Sequence, residues 1–169
     1  MKTTAFLMFL IASVAPAVHA ADSVQTDEID YCKVSYTDVD DGDAGTYLGQ
    51  CLQEMPNGRG EVSYYNGDSL QGEFKDGIVD GTGTYRSAAG NIYEGGFQEG
   101  KRHGQGVYTW AQGSTYSGEW TDDQRHGNGV FTWSNGNRFE GEFRNNKRYN
   151  GTYITGSGRV YKCQLGQCR

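Results

Sequence analysis

The sequence has few of the residues from which active sites are most often built. It contains three histidines, of which only His103 and His126 follow the N-terminal leader described below. Neither has a serine or cysteine beside it in a pattern typical of an activated nucleophile. Acidic residues recur with the repeat itself, so their pairing carries no information about glycoside hydrolysis. We therefore predict that the protein is not an enzyme and that it binds no cofactor.

A net positive charge is also missing. The chain has a formal charge of −6, and residues 21–46 contain eight acids against Lys33 alone. From Tyr47 onward, 13 basic residues are matched by 13 acidic ones. Binding to nucleic acids depends on a basic face that releases counterions, so the composition argues against a nucleic-acid partner.

No residue pattern is typical of a metal site. His103 and His126 fall about two strand spacings apart in the hairpins described below, and no third ligand accompanies them. The acidic stretch at residues 38–43 has its glycine one place too early for a calcium loop and lacks a glutamate at the twelfth position. We interpret this stretch as an acidic linker and predict no metal site.

Long apolar runs are limited to one stretch near the N-terminus. Residues 5–12 are apolar but too short to span a bilayer, and they follow Lys2. Val18 and Ala20 occupy the two positions that a signal peptidase reads. We predict that residues 1–20 are a signal peptide, that the mature chain begins near Ala21, and that the protein is periplasmic or secreted. An uncleaved membrane anchor is the alternative.

Glycine, by contrast, is abundant, with 26 residues, most of which recur at a fixed period. A large apolar residue appears every 23 positions, at Tyr47, Leu70, Tyr93, Tyr116 and Phe139. Glycine follows two positions later, at Gly49, Gly72, Gly95, Gly118 and Gly141. A second large residue follows after four positions, at Cys51, Phe74, Phe97, Trp120 and Phe143. A strict period of this length indicates a linear array of repeated units.

Each unit has the pattern of one β-hairpin. Residues 93–97 and 107–110 alternate between polar and non-polar side chains, as strands do. Between them, Gly100 holds a position at which a left-handed backbone is tolerated in the other units, which carry Gly77, Asp123 and Asn146. We expect a tight turn there. Asn-Gly pairs predict a second short hairpin turn at residues 66–67 and 135–136.

The sequence therefore predicts an all-β protein, an elongated single-layer antiparallel meander of about five 23-residue hairpins. About ten strands at ~4.8 Å spacing would form an array ~50 Å long. We place the units at residues 47–69, 70–92, 93–115, 116–138 and 139–158. Residues 21–46 are predicted to be an acidic segment with a capping strand, and residues 159–169 a C-terminal cap, because arrays need distinct ends.

The large residues at the first and fifth positions of each unit share one face of the sheet, because side chains alternate along a strand. The glycine between them leaves a gap, and we expect an aromatic ring from a neighbouring strand to lie over it. The candidate rings are Tyr108, Trp110, Phe131 and Trp133. We assign the aromatic residues mainly to the core, since cross-strand pairs stabilise a sheet that no helix covers.

The most regular units resemble a known repeat. Residues 93–106 read YEGGFQEGKRHGQG and residues 116–129 read YSGEWTDDQRHGNG. Both resemble the MORN (membrane occupation and recognition nexus) repeat, as do residues 139–148. The units at residues 47–69 and 70–92 keep the glycines but replace the Lys-Arg-His segment. The resemblance implies a single-layered twisted sheet and a non-catalytic role as a scaffold, dimerisation device or membrane-proximal adaptor.

Four cysteines in an exported chain are expected to form two disulfides. Cys51 lies in the first unit and Cys163 beyond the last, so roughly four repeats of ~10 Å separate them. A disulfide needs its Cα atoms within about 7 Å, which excludes bonds between the two ends of the sheet. We predict the pairs Cys32–Cys51 and Cys163–Cys168, each sealing a sheet edge. Pairing between two chains is the alternative, because linear arrays readily associate end to end.

Basic residues recur at one place in three successive units, which we expect to form a turn. They are Lys101, Arg102, His103, Arg125, His126, Lys147 and Arg148. Stacked hairpins would bring them onto one rim as a ladder of positive charge with steps of ~10 Å, which suits an anionic surface. Acids such as Glu99 and Asp123 lie nearby in the sequence, so a solvated mixed-charge surface is the alternative.

Two functional hypotheses follow. The first is a non-catalytic, exported scaffold that binds a protein partner or a second copy of itself. The second is a protein that binds anionic lipid headgroups or an acidic polysaccharide through the basic rim. A carbohydrate-binding variant of the second hypothesis would use Trp110, Trp120 or Trp133 as stacking platforms.

Overall fold

The computed structural model describes residues 30–36 and 44–169, which form one antiparallel sheet. Within these residues, thirteen strands are paired in chain order. They are β1 (Asp30–Tyr36), β2 (Gly45–Leu52), β3 (Met55–Tyr64), β4 (Ser69–Lys75), β5 (Ile78–Arg86), β6 (Ile92–Gln98), β7 (Lys101–Thr109), β8 (Thr115–Thr121), β9 (Gln124–Thr132), β10 (Arg138–Arg144), β11 (Lys147–Ile154), β12 (Val160–Gln164) and β13 (Gln167–Cys168). The predicted signal peptide at residues 1–20 and the acidic stretch at residues 38–43 lie outside the described residues.

The predicted all-β meander is confirmed. Strands β2 to β11 form five successive hairpins that follow the sequence period. Strand β1 pairs with β2 ahead of the first hairpin, and the short hairpin β12–β13 follows the last one. No helix in the described part of the chain is long and apolar enough to span a membrane.

The turn inside each hairpin is completed by two residues with a left-handed backbone. Asp122 and Asp123 have φ angles of 47° and 65°, and Asn145 and Asn146 have φ angles of 47° and 67°. Two consecutive positive φ angles characterise the type I′ turn, whose twist matches that of the flanking strands. The predicted tight turn is therefore confirmed, but it is shorter than expected. Because the chain reverses in two residues, the basic segment begins the next strand instead of forming the turn.

The loop that connects one hairpin to the next has three residues, one more than the turn inside each hairpin. The amide of Tyr64 donates to the Asp68 carbonyl and the amide of Gly67 donates to the Tyr64 carbonyl, both at 3.0 Å. Only the glycine of the Asn66-Gly67 pair is left-handed, with φ of 91°. The Asn-Gly pairs thus do connect strands, through three-residue loops built on a type I turn. Equivalent hydrogen bonds close the loops that contain Gly90, Gly113, Gly136 and Gly158.

A row of glycines crosses the sheet at right angles to the strands. Gly95 pairs with Gly83 on one side and with Gly106 on the other, and the row continues from Gly49 in β2 to Gly151 in β11. The ring of Tyr93 lies over this row, where a Cβ added to Gly106 would come within 2.4 Å of the tyrosine oxygen. The gap is therefore filled by the first aromatic of the same unit, which corrects the expectation that Tyr108 or its equivalents would fill it.

Tyr93 is fully buried, and its hydroxyl donates a hydrogen bond of 2.8 Å to the Gly96 carbonyl. Burial raises the pKa of Tyr93 to about 12. Tyr47 and Tyr116 lie over the glycine row in the same way and bond to carbonyls in their own units. The tyrosine ring can cross the glycine pair because neither glycine has a side chain that would block it.

Replacing Gly106 with alanine should lower the free energy of unfolding by about 1–3 kcal/mol, the usual cost of adding atoms to a packed core. The new Cβ would lie 2.6 Å from a carbon of the Tyr93 ring. Urea denaturation of the oxidised protein measures the effect. In a Tyr93→Leu background, Gly106→Ala should lower the free energy of unfolding by much less, because the shorter side chain no longer crosses the glycine row. Strictly additive losses would show that the ring and the glycine do not interact.

Both predicted disulfides are present within the chain. Cys32 and Cys51 join β1 to β2 with Cα atoms 5.8 Å apart, and Cys163 and Cys168 join β12 to β13 with Cα atoms 3.9 Å apart. No cysteine in the described residues is free. Each bond links the outermost strand at one end of the sheet to its neighbour.

Candidate functional site

Half-buried aromatic rings form a second row on the same face as the core. We name Tyr108, Trp110, Phe131, Trp133, Tyr153 and Tyr161 the outer aromatic row. Neighbouring ring centroids along it lie 4.5 to 6.2 Å apart. The sheet has a single layer, so no other element of the described chain covers this row. The face therefore presents a continuous aromatic surface over the C-terminal half of the sheet.

Three arginines lie between this row and the buried rings. The guanidinium carbon of Arg102 is 4.6 Å from the Trp120 ring centroid, that of Arg125 is 5.4 Å from the Phe131 centroid, and that of Arg148 is 5.2 Å from the Trp133 centroid. Strand register explains the placement, since Arg102 pairs directly with Phe97 and so points to the aromatic face. In the first two units this position is apolar and buried, as Pro56 and Val79.

The first two arginines are clamped by the turn that follows them. Arg102 Nε lies 2.7 Å from Asp123 Oδ1, and its Nη2 donates to the Asp123 carbonyl at 3.2 Å. Arg125 makes the same contacts with Asn146, at 3.3 and 2.8 Å. Burial lowers the pKa of the Arg125 guanidinium. Each clamp fixes one hairpin to the next and holds the guanidinium close to the rings.

Arg148 lies in the same ring environment but lacks this clamp. Its guanidinium carbon lies 5.2 to 5.9 Å from the centroids of Trp133, Phe139 and Tyr153. It borders a cavity of about 540 Å³ at the C-terminal end of the aromatic face. The turn of the disulfide-closed hairpin β12–β13, at Leu165-Gly166, forms one wall of that cavity.

The seven predicted basic residues therefore do not form one ladder. The arginines lie on the aromatic face, whereas Lys101, His103, His126 and Lys147 flank them in sequence and alternate to the opposite face. Lys101, His126 and Lys147 are exposed. No group of three or more potential metal ligands occurs within the described residues.

The three tryptophans differ in accessibility. Trp120 is only 3 % exposed, and its indole nitrogen donates to the Gly106 carbonyl at 3.2 Å. It is a core residue and does not provide a stacking platform. Trp110 and Trp133 are half-buried and keep part of their rings accessible.

Sequence reasoning missed an open groove on the opposite face, near the N-terminal end of the sheet. Its volume is about 720 Å³, and its lining includes Tyr31, Leu48, Glu61 and Thr84. Tyr31 and Leu48 are 79 % and 63 % exposed. Alternation along the strands would have placed these residues on one face, but only the pairing of β1 with β2 brings Tyr31 into the group.

The fold defines a linear β-hairpin repeat protein, and comparison with known families identifies the repeat. The family model for the MORN repeat matches residues 71–92, 93–115, 116–138 and 139–148. Residues 71–148 are thus MORN repeats, and such repeats are generally non-catalytic modules for interaction with proteins or lipids. The match leaves out the first hairpin and the end of the last one. No curated protein matches the chain.

Proposed function

We propose that this protein is an exported, non-catalytic interaction module that binds a protein partner, or a second copy of itself, through its aromatic face. The observation that carries the proposal is the outer aromatic row, which remains half-exposed because the sheet has one layer. A contiguous apolar patch on a soluble protein is typical of an interaction site.

The composition of the face supports the same conclusion. Tyrosine, tryptophan, phenylalanine and arginine are the residues enriched in the cores of protein interfaces and among their energetic hot spots. The clamps on Arg102 and Arg125 fix both side chains before a partner arrives, so little side-chain entropy is lost on binding. Arg102 is also neutralised by Asp123, which favours a partner with a flat, mostly uncharged surface.

Export is supported by the cysteines. Two disulfides at the ends of a small sheet are typical of proteins that fold in an oxidising compartment. Deleting residues 1–20 should leave the chain in the cytoplasm with reduced thiols, whereas the full chain should be recovered oxidised outside it. Fractionation with thiol alkylation distinguishes the two states, and recovery of the full chain in reduced form in the cytoplasm would contradict the proposal.

Sedimentation velocity over a range of concentrations tests self-association, and photo-crosslinking from position 131, which belongs to the same outer aromatic row, tests for another protein in the native compartment. Trp110→Ser should abolish either association. Val107→Ser is the matched control, because Val107 lies in the same region of the sheet but on the opposite face and is 38 % exposed. A protein that is monomeric at every concentration and crosslinks to no protein would overturn the proposal.

The second hypothesis is the binding of anionic lipid headgroups or an acidic polysaccharide. It is supported by the arrangement of basic residues at one place on the molecule. Arg102 and Arg125 are clamped, but Arg148 is not, and Lys147 is exposed beside it. Arg102 is paired with Asp123, whereas Arg148 and the exposed Lys147 beside it lie together at the C-terminal cavity, so the hypothesis is best supported there. Co-sedimentation with anionic and neutral liposomes at low and high salt tests the lipid form of this hypothesis.

A further inference from the structure

The repeat pattern breaks at Arg148 in a way that leaves its guanidinium available. The two earlier arginines are clamped by the side chain of the following turn, as described above. The turn that follows Arg148 is Leu165-Gly166, which carries no polar side chain, and the Gly166 amide donates to the Tyr149 carbonyl. Within the described residues, no hydrogen bond or ion pair reaches the Arg148 guanidinium, and the contacts recorded for it are with rings.

The cavity beside this guanidinium combines positive charge with aromatic walls. Its volume of about 540 Å³ is in the range of small-molecule sites. Its lining comprises Arg125, Phe131, Trp133, Phe143, Asn146, Lys147, Arg148, Leu165, Gly166 and Gln167. Three of these described lining residues are basic and none is acidic, so an anion that enters meets no repulsion from the walls.

We propose that this cavity binds the carboxylate of an acidic sugar, a uronic acid unit of an oligosaccharide. The planar guanidinium of Arg148 presents two parallel N–H groups, the geometry that a carboxylate accepts in a bidentate manner. The half-buried ring of Trp133 offers an apolar surface to the ring of the sugar. Gln167, an exposed lining residue, offers an amide to the sugar hydroxyls, which need polar partners.

The site is organised before a ligand enters. Three rings hold Arg148 in place, and the Cys163–Cys168 bond closes the hairpin that forms the outer wall. Leu165, at the tip of that hairpin, is 71 % exposed and lines the cavity on its open side. A fixed guanidinium loses little conformational freedom on binding, which favours affinity. This inference rests on the second hypothesis above, the binding of an acidic polysaccharide, and names its subsite and its sugar unit; it requires neither a partner protein nor a second copy.

Isothermal titration of the oxidised protein with tri-galacturonic acid tests the inference. Three matched probes accompany it: the fully methyl-esterified trisaccharide, which has the same rings without charge, inorganic phosphate, which has charge without rings, and anionic liposomes. We expect binding of the free acid, and at least about tenfold weaker binding of the ester and of phosphate, because hydrogen bonds between charged groups contribute more than neutral ones. Equal binding of the ester or of phosphate would overturn the proposal, and so would binding to liposomes alone.

Arg148→Gln should weaken the binding of tri-galacturonic acid at least about tenfold, because it removes both the charge and the two-pronged donor. Arg138→Gln is the control: it removes an arginine from the neighbouring strand β10, where the side chain points to the opposite face and pairs with Glu140 at 3.0 Å, and it should leave the affinity unchanged. Arg148→Lys keeps the charge without the planar fork and should also weaken binding, which covers the case in which Arg148→Gln fails to fold. Unchanged affinity in a folded Arg148 variant would overturn the proposal. Sedimentation velocity of the same variants shows whether they still self-associate. A loss of sugar binding can then be told apart from a loss of self-association.

Discussion

Replacing Trp120 with alanine should lower the free energy of unfolding by about 3–5 kcal/mol, the usual range for removing a large aromatic side chain from a core. Its ring centroid lies 5.3 Å from those of both Tyr93 and Tyr116, and the Arg102 guanidinium stacks over it. The change also leaves the Gly106 carbonyl without the indole donor. Urea denaturation of the oxidised protein, followed by tyrosine fluorescence or circular dichroism, measures the loss.

Trp110→Ala provides the comparison. Trp110 belongs to the outer aromatic row, with ring centroids of Tyr108 and Phe131 at 4.5 and 5.2 Å, and its own ring is half-exposed. Trp110→Ala should lower the free energy of unfolding by substantially less than Trp120→Ala. Less buried surface is lost, and no enclosed cavity is left behind. Equal losses from the two changes would mean that the outer row is as buried as the core, and would weaken its assignment as an interaction surface.

Removing the Cys32–Cys51 bond by replacing both cysteines with serine should lower the free energy of unfolding by about 3 kcal/mol. The two cysteines are 19 positions apart, and the unfolded chain regains the freedom of the loop that the bond closes. Among the described residues, strand β1 pairs only with β2, and it carries the exposed Tyr31. Its amides should therefore lose protection from hydrogen exchange before those of the central hairpins.

The Cys163–Cys168 bond is the matched case at the other end. Its cysteines are only five residues apart, so its removal should cost less, about 2 kcal/mol. A larger loss at this end would contradict the loop-length argument and would indicate that the β12–β13 hairpin contributes packing to the last repeat. Equilibrium denaturation of the two double variants side by side decides between these outcomes.

The sequence predicted the sheet because one period specifies both its strands and its turns. Tyr93 and Phe97 had to share a face, and the residues at positions such as Asp123 and Asn146 had to tolerate a left-handed backbone. The disulfide pairing followed from the length of the array alone. These features depend on local geometry repeated many times, so an error in one unit is corrected by the others.

The candidate site was predicted less well because it depends on contacts between units. The basic residues were expected to form a turn. The second left-handed residue of each turn, however, completes the chain reversal before Arg102 or Arg125 is reached. The clamps were missed as well, although both join residues 21 positions apart, at Arg102–Asp123 and Arg125–Asn146. A recurring basic–polar pair at that spacing is the signal that could have revealed them.

Strand order in this sheet is the same as residue order. Under the proposed export, a chain that emerges N-terminus first from a translocation channel can therefore add each strand to the one just completed, without waiting for any distant segment. Both disulfides join consecutive cysteines, 19 and 5 residues apart, so oxidation can keep pace with emergence and needs no later reshuffling. Folding of this kind depends on nearest-neighbour contacts and can propagate along the array from one repeat to the next.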